Sequence, residues 1–224
     1  NIKDRHLPAM SKAVIDRIGE LGVFPIIVIE NAADAEPIGS ALIEGGLPIV
    51  EVTFRTPAAA AAIRTFSTRY PEMLVGAGTV LSTELVDAAI DAGARFILAP
   101  GYNPVVVDYC LEKGIAVFPG VCTPSEIDAC LAKGLEVLKF FPAEAMGGLK
   151  YLEAVSAPLA AARYLPTGGL TLQNLPDYLA FEKTHACAGT WIAKKDRIRE
   201  GRFDLIRRDA EAALKESLQQ VEAY

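Results

Sequence analysis

One lysine lies within an otherwise apolar segment of the chain, EVLKFFP at 136–142. Burying an ammonium group without a partner costs far more free energy than the aliphatic stem gains by packing, so Lys139 needs an explanation. A second apolar segment, PIVEVTFRT at 48–56, carries Glu51 and Arg55. An amine, a carboxylate and a guanidinium within such segments indicate chemistry at the carbonyl group of an acidic substrate.

Strand geometry assigns these residues to one side of a sheet, because successive side chains of a strand point to opposite faces. Lys139 shares a face with Val137 and Phe141, and the opposite face of that segment is wholly apolar. Glu51 and Arg55 likewise share a face, again with only apolar residues opposite. The apolar faces can pack under helices, so the mixed faces should point into the interior of a curved sheet.

The elements that would position these residues alternate along nearly the whole chain. Eight apolar, β-branched segments, among them PIIVIE and LVGAGTV, are each followed by an alanine-rich helical stretch. Such alternation predicts parallel βαβ units. Asp34, Thr56, Ser82, Asn103 and Thr123 stand at predicted helix N-caps. We therefore predict a single (β/α)8 TIM-barrel domain over residues 1–224, with an open doubly wound sheet as the alternative.

Two amphipathic helices are predicted to frame the repeated units. The apolar stripe of the first consists of Met10, Val14, Ile18 and Leu21. The stripe of the second consists of Phe203, Ile206, Ala210, Leu214, Leu218 and Val221. We expect the first to be an extra N-terminal helix that covers the bottom of the barrel, and the second to be its eighth helix.

The strand ends predict one common pocket. Thr79 and Thr167 lie late in their strands, as Glu51, Arg55 and Lys139 do in theirs. Barrel active sites form at the carboxyl ends of the strands, so these residues should meet at one pocket mouth. A purely structural ion pair between Glu51 and Lys139 is the alternative. It would not explain why the other three residues fall at matching positions.

Glycines in the last third of the chain predict an anion site. PTGGLT at 166–171 follows the predicted seventh strand, and AGTW at 188–191 follows the eighth. Glycine lets backbone amides approach an anion closely, and barrels often bind phosphate at these two loops. Gly168, Gly169 and Thr190 are the candidate phosphate contacts, although a Gly-Gly pair also occurs in ordinary turns.

Composition excludes several other classes of function. A formal net charge of −6 over 224 residues gives no footprint for nucleic acid or an anionic membrane. The four cysteines are scattered, which predicts reduced thiols in a cytoplasmic protein, and two distant histidines do not suggest a zinc site. No segment has the length or apolarity of a signal peptide or a membrane span.

Six motifs together resemble a known family. They are VEVTFRT, VGAGTV, APGYNP, FPGVCTPSE, LKFFPAEAMGG and PTGGL, in order between about Pro25 and Trp191. This set is similar to the 2-keto-3-deoxy-6-phosphogluconate aldolases, also known as 4-hydroxy-2-oxoglutarate aldolases. The resemblance implies a class I aldolase on a (β/α)8 barrel, usually a homotrimer, that needs neither metal nor cofactor.

The resemblance also implies roles for individual residues. Lys139 would form a Schiff base with a small 2-keto acid, and Glu51 would be the general acid/base. Arg55 and Thr79 match positions that hold the substrate carboxylate. The remaining implied contacts are Pro100 and Phe141 in the pocket wall and Thr167, Gly168, Gly169 and Thr190 at the distal hydroxyl and phosphate end.

The implied reaction cleaves 2-keto-3-deoxy-6-phosphogluconate to pyruvate and glyceraldehyde 3-phosphate, with 4-hydroxy-2-oxoglutarate, giving pyruvate and glyoxylate, as a second candidate substrate. Two segments depart from the family pattern. AGTW stands where Gly-Gly-Ser-Trp is frequent, and IEN at 29–31 stands where basic residues are frequent. Alternatives are another phosphosugar enzyme, such as an epimerase, and a barrel that binds phosphosugars without catalysis.

Overall fold

The computed structural model describes residues 9–222, and for 220–222 the backbone only. Within this range the strand segments are β1 (Val23–Ile27), β2 (Ile49–Thr53), β3 (Leu74–Gly78), β4 (Phe96–Leu98), β5 (Ala116–Phe118), β6 (Gly120–Val121), β7 (Val137–Phe140), β8 (Arg163–Pro166) and β9 (Cys187–Gly189). The α-helices are α1 (Ala9–Leu21), α2 (Ala35–Glu44), α3 (Ala59–Arg69), α4 (Thr83–Ala92), α5 (Pro104–Lys113), α6 (Pro124–Leu131), α7 (Gly148–Ser156), α8 (Leu175–Leu179), α9 (Lys195–Arg199) and α10 (Phe203–Glu222). The predicted alternation of strands and helices is present.

The paired strands of the described chain are parallel and form two groups. The larger has the order β5-β4-β3-β2-β1-β9, and the smaller has the order β6-β7-β8. The chain passes from β5 into β6 through Pro119. Proline has no N–H to donate to a ladder, so one predicted strand is divided into two short segments. This division explains why nine segments appear in the described range where the sequence predicted eight.

Two isolated bridges connect the groups at their other edge. Tyr164 of β8 pairs with Thr184, and Thr167 pairs with Ala188 of β9, both in parallel. At the β5–β6 junction, the N–H of Lys139 donates to the carbonyl of Pro119 at 3.1 Å. The protein therefore has an α/β fold in which a sheet of parallel strands curls on itself.

Aromatic rings show which side of the sheet is concave. The Phe96 ring lies 6.0 Å from the ring of Phe24 and 6.2 Å from that of Phe118, edge to face in both cases. Because β1 and β4 are not neighbours in the sheet, their side chains can meet only across the concave face. Phe140 lies on the other side, where its ring stacks on Tyr151 of α7 at 6.1 Å. Alternation along β7 then directs Lys139 into the concavity.

Helix starts follow local capping chemistry in three of the five predicted cases. The side chains of Ser82, Asn103 and Thr123 accept hydrogen bonds from backbone N–H groups at the starts of α4, α5 and α6. Asp34 precedes α2 but its side chain caps nothing. Thr56 was wrongly predicted as a cap, because its hydroxyl donates to the Ile29 carbonyl and α3 begins only at Ala59.

The two framing helices are present, with exceptions in their predicted stripes. In α1, Val14, Ile18 and Leu21 are buried, but Met10 is 64% exposed. In α10, Ile206 and Ala210 are buried but Leu218 is 47% exposed, and the side chain of Val221 lies outside the described residues. A helical period identifies a face but not how far the helix extends beyond the core, so the predicted burial of Met10 and Leu218 was wrong.

Contacts of α1 place it at the end of the sheet where the strands begin. The Ser11 hydroxyl donates to the carbonyl of Gly114, shortly before β5, at 2.9 Å. The Nε2 atom of His185, shortly before β9, lies 2.8 Å from the carbonyl of Ile15. The strands finish at the opposite end of the sheet, away from these contacts of α1.

Candidate active site

One cavity of about 260 Å³ lies where the strands end. Its lining contains every residue that the sequence predicted for the site: Glu51, Arg55, Thr79, Pro100, Lys139, Phe141, Thr167, Gly168, Gly169 and Thr190. These residues come from six different strands or the loops that follow them. The curl of the sheet therefore gathers residues that are far apart in the sequence, in a volume suited to a small molecule.

An amine and a carboxylate form the floor of this cavity. Lys139 is 6% exposed and Glu51 is fully buried. The Nζ atom of Lys139 lies 3.8 Å from Oε1 of Glu51, which is ion-pair distance but too long for a hydrogen bond. The same Nζ lies 5.2 Å from the centre of the Phe141 ring, within range of a cation–π contact. Lys139 is thus held between a carboxylate and an aromatic wall.

Glu51 is electrostatically unusual. Burial raises its pKa above the ordinary value, and the positive charge of Lys139 offsets that effect only in part. Neither carboxyl oxygen has a hydrogen-bond partner among residues 9–222. A carboxyl group whose pKa is raised toward neutrality is better suited to take up and return a proton at working pH. The floor therefore combines a potential nucleophile with a potential general base.

Two further predicted residues stand nearer the mouth. Arg55 is exposed, and its guanidinium has no carboxylate within 4.0 Å in the part of the chain that the structure describes. Thr79 has a φ of 57°, in the left-handed region that a β-branched residue rarely adopts. Such strain persists only where the surrounding structure imposes it, often at a functional site. Arg55 and Thr79 are therefore both available to contact a ligand in the cavity.

The distal end of the cavity is built from the loops after β8 and β9. Gly168 and Gly169 have φ values of 97° and 84°, which favour glycine. Their carbonyls accept from the N–H of Glu144 at 3.0 Å and from the side-chain amide of Asn174 at 3.3 Å. Because these hydrogen bonds fix the two carbonyl groups, the backbone N–H groups of the loop can face the cavity, beside the hydroxyl of Thr190. This end of the cavity is neutral and polar.

Five lining residues were absent from the predicted set: Ile26, Thr53, Leu170, Thr171 and Gly189. Thr53 could have been included, because it lies two residues from Glu51 on the same face of β2. Its hydroxyl donates to the carbonyl of Ile27 at 3.1 Å and so ties β2 to β1. Ile26, Leu170 and Gly189 carry no chemical signal, since apolar and glycine linings depend on the fold rather than on residue type. Thr171 is the last residue of PTGGLT, and its hydroxyl donates to Oδ1 of Asn174 at 3.3 Å.

Other predicted features were also located. The four cysteines are free thiols, as expected for packing residues, and burial raises the pKa of Cys110 to about 12. Within residues 9–222, no three potential metal ligands are grouped together. No helix in that same range combines the length and apolarity needed to cross a bilayer.

Comparison with known proteins agrees with the motifs and the geometry. A family model described as KDPG and KHG aldolase matches residues 14–208. The chain is 40% identical to the 2-dehydro-3-deoxy-phosphogluconate aldolase of Treponema pallidum over 193 residues, 86% of this chain and 92% of the relative. It is 38% identical to the KHG/KDPG aldolase of Escherichia coli K12 over 192 residues, 86% of this chain and 90% of that one.

Among solved structures, a KDPG aldolase from Legionella pneumophila, with pyruvate captured at low pH as a covalent carbinolamine intermediate, aligns with a TM-score of 0.84. Its sequence is 34% identical, and the alignment covers 87% of this chain and 97% of the other. The resemblance predicted from six motifs is confirmed, and the chain belongs to the family of KDPG and KHG aldolases.

Proposed function

We propose that this protein is a class I aldolase that cleaves 2-keto-3-deoxy-6-phosphogluconate to pyruvate and glyceraldehyde 3-phosphate. The observation that carries the proposal is the 3.8 Å approach of the Lys139 amine to the fully buried Glu51 carboxyl on the cavity floor. An amine beside a base is the pair that Schiff-base chemistry requires. The covalent pyruvate carbinolamine of the L. pneumophila relative is the adduct that such an amine would form.

The reaction begins when the Lys139 ammonium loses its proton to water and the neutral amine adds to the C2 carbonyl of the keto acid. The carbinolamine so formed loses water and becomes an iminium, which draws electrons from the adjoining carbon chain. Glu51 takes the proton from the C4 hydroxyl, directly or through water, and the electrons of the C3–C4 bond move into the iminium. The aldehyde departs and leaves the enamine of pyruvate on Lys139.

The second half of the reaction restores the enzyme. The enamine takes a proton at C3 and becomes an iminium again. Water then adds to C2 and expels the Lys139 amine, which releases pyruvate. Glu51, protonated in the cleavage step, is suited to return its proton, and burial raises its pKa above the ordinary value of a carboxyl group.

The remaining residues orient the substrate. Arg55, which has no carboxylate partner among the described residues, would bind the substrate carboxylate with paired hydrogen bonds, with Thr79 alongside. Pro100 and Phe141 would form the walls. Thr167, Gly168, Gly169 and Thr190 would hold the distal hydroxyl and the phosphate. Since these four are uncharged, 4-hydroxy-2-oxoglutarate, which has no phosphate, is a second substrate to test.

We also propose that the curled sheet is a complete (β/α)8 TIM barrel and that residues 1–224 form one domain, with α1 as an extra N-terminal helix across its bottom. The strand order and the β8–β9 bridges support the barrel, and the contacts of α1 with Gly114 and His185 support its position. From family membership we further propose a cytoplasmic homotrimer with neither nucleic acid nor membrane as a partner.

The function is tested by pyruvate release from 2-keto-3-deoxy-6-phosphogluconate, its galactonate epimer and 4-hydroxy-2-oxoglutarate. Turnover of at least one substrate by the wild type, and none by Lys139→Ala, would support the proposal. A chelator should leave the rate unchanged, because the iminium supplies the electron sink. Inactivation by a chelator would instead favour a metal-dependent phosphosugar enzyme, and binding without turnover would favour a non-catalytic barrel.

A further inference from the structure

Strand β3 carries glycine at two successive positions on its concave face. Gly76 pairs in register with Glu51 of β2, and Gly78 pairs with Thr53. Glu51 points into the concavity, and paired residues of parallel strands share a face, so any side chain at either position would also enter the concavity. The two glycines therefore leave space inside the sheet.

Different groups occupy the two spaces. A methyl group at Gly76 would stand 2.2 Å from the ring of Phe96, so that glycine accommodates part of the core. A methyl group at Gly78 would stand 1.8 Å from Oε1 of Glu51, 2.7 Å from its Cδ and 2.9 Å from its Cγ. Real Cβ contacts are essentially never shorter than 3.0 Å. The Glu51 carboxyl thus lies in the volume that a side chain at Gly78 would fill.

The backbone does not require glycine at this position. The φ angle of Gly78 is not among the positive values found for glycines of the described chain, so alanine can adopt the same conformation. Gly78 is buried and does not line the cavity, so it does not touch the substrate. Among the described residues, the three atoms nearest to a side chain at this position all belong to Glu51.

No hydrogen bond from the described residues fixes the carboxyl. No residue between 9 and 222 donates a hydrogen bond to either oxygen of Glu51, and its ion-pair partner Lys139 is 3.8 Å away. The position of the carboxyl therefore depends on packing. We propose that Gly78 is a positioning residue, which sets the location of the Glu51 carboxyl by leaving space for it; this inference rests on the acid/base role proposed for Glu51.

A double-mutant cycle tests the proposal through the side-chain length of residue 51. Gly78→Ala should push the Glu51 carboxyl away from its position, lowering kcat by about 100-fold or more while KM changes little. Trapping of pyruvate on Lys139 with borohydride should persist, as in Glu51→Gln. Glu51→Asp shortens the side chain and removes the 1.8 Å contact with Oε1, so in that background the collision is smaller. Gly78→Ala should there lower kcat by a factor at least about 10-fold smaller.

Gly101→Ala is the matched control. It adds the same methyl group in the loop after β4, where no described residue other than its two chain neighbours lies within 4 Å, and it should leave kcat and KM unchanged. Circular dichroism of each variant establishes folding. If Gly78→Ala fails to fold but Gly78→Ala/Glu51→Asp folds, the collision with Glu51 is supported directly. If Gly78→Ala also fails to fold in a Glu51→Ala background that folds by itself, the methyl meets something other than the residue 51 side chain and the proposal is overturned.

Two results separate this inference from the function on which it rests. If the wild type neither releases pyruvate nor forms a borohydride adduct, the proposed function fails, whatever the glycine variants do. If the wild type is active and Glu51→Gln is not, but Gly78→Ala lowers kcat equally in the wild-type and Glu51→Asp backgrounds, the function stands and the role of Gly78 is refuted. A change confined to KM would refute it as well, since it would indicate disturbance of the adjacent Thr79.

Discussion

Replacing Glu51 by glutamine removes a charge and a proton site while keeping the shape of the side chain. The amide can neither accept the C4 hydroxyl proton nor return it, so kcat should fall by about 10²–10⁴-fold, the usual range for a general acid/base. The Lys139 amine remains, so the iminium with pyruvate should still form. Loss of cleavage with retention of the adduct would separate the two roles.

The same substitution should stabilise the folded protein, because the cost of burying the Glu51 carboxylate exceeds its attraction to Lys139. At 3.8 Å and an effective dielectric constant of about 20, the attraction between the Lys139 and Glu51 charges is about 4 kcal/mol. The pKa of Glu51 is nevertheless raised, so the cost of desolvating its carboxylate exceeds the contribution of that attraction. The ionised carboxylate is therefore a net burden on the folded state, and the neutral amide avoids it.

The sign of the pH dependence follows from the raised pKa. The Glu51 carboxyl binds its proton more tightly in the folded than in the unfolded chain. The folded protein therefore loses stability as pH rises from the ordinary glutamate pKa of 4.5 through the folded pKa. Glu51→Gln has no such loss. Its melting temperature should exceed that of the wild type at pH 8 by about 2–4 °C for each kcal/mol gained, and the difference should shrink as pH falls toward 4.5.

The measurement pairs melting curves at several pH values with pyruvate release. Glu153→Gln, at an exposed glutamate of α7, is the control and should change neither quantity. A Glu51→Gln variant less stable than the wild type at pH 8, or a stability difference that grows toward acid pH, would contradict the desolvation argument. Turnover within a few fold of wild type would remove Glu51 from its acid/base role.

Two further outcomes are expected. Arg55→Met should raise KM for the keto acid by about 10- to 150-fold with a smaller effect on kcat, because charge-assisted hydrogen bonds contribute about 1.5–3 kcal/mol. Initial rates measured against substrate concentration give both constants. An unchanged KM would exclude Arg55 as the contact of the substrate carboxylate. Glu126→Gln should lower stability at pH 7 by about 1 kcal/mol, since Glu126 accepts from the N–H groups of Cys122 and Thr123, each at 2.9 Å, at the start of α6. Partial burial raises the pKa of Glu126, but these hydrogen bonds outweigh it and hold the pKa below its ordinary value. The stability difference between Glu126→Gln and the wild type should therefore vanish as pH falls through that lowered pKa. A difference that is independent of pH in melting curves would contradict this.

Strand periodicity accounts for much of what the sequence revealed about the site. A period of two placed Lys139 and Glu51 on concave faces, and the parallel alternation placed all the predicted strand ends at one end of the sheet. The structure gathers the ten predicted residues around a single cavity.

Features that depend on neighbours across the sheet were not visible in the sequence. Ile26 and Gly189 line the cavity without any distinctive chemistry. The space at Gly78 has meaning only once Glu51 is seen beside it on the neighbouring strand. The division of one strand at Pro119 and the exposure of Met10 likewise depend on how far each element extends along its partners. Residue type and spacing predict which groups meet, whereas the packing of side chains between neighbouring strands can be seen only in the folded structure.

A nucleophilic Lys139 forms a covalent bond to the keto acid, and this bond can be trapped. The protein is incubated with pyruvate and sodium borohydride, and the modified peptide is identified by mass spectrometry. The account predicts one reduced pyruvate adduct, located on Lys139 and absent from Lys139→Ala, with the partly exposed Lys183 unmodified in both proteins. An adduct that persists in Lys139→Ala, or a catalytically active wild type that forms none, would contradict it.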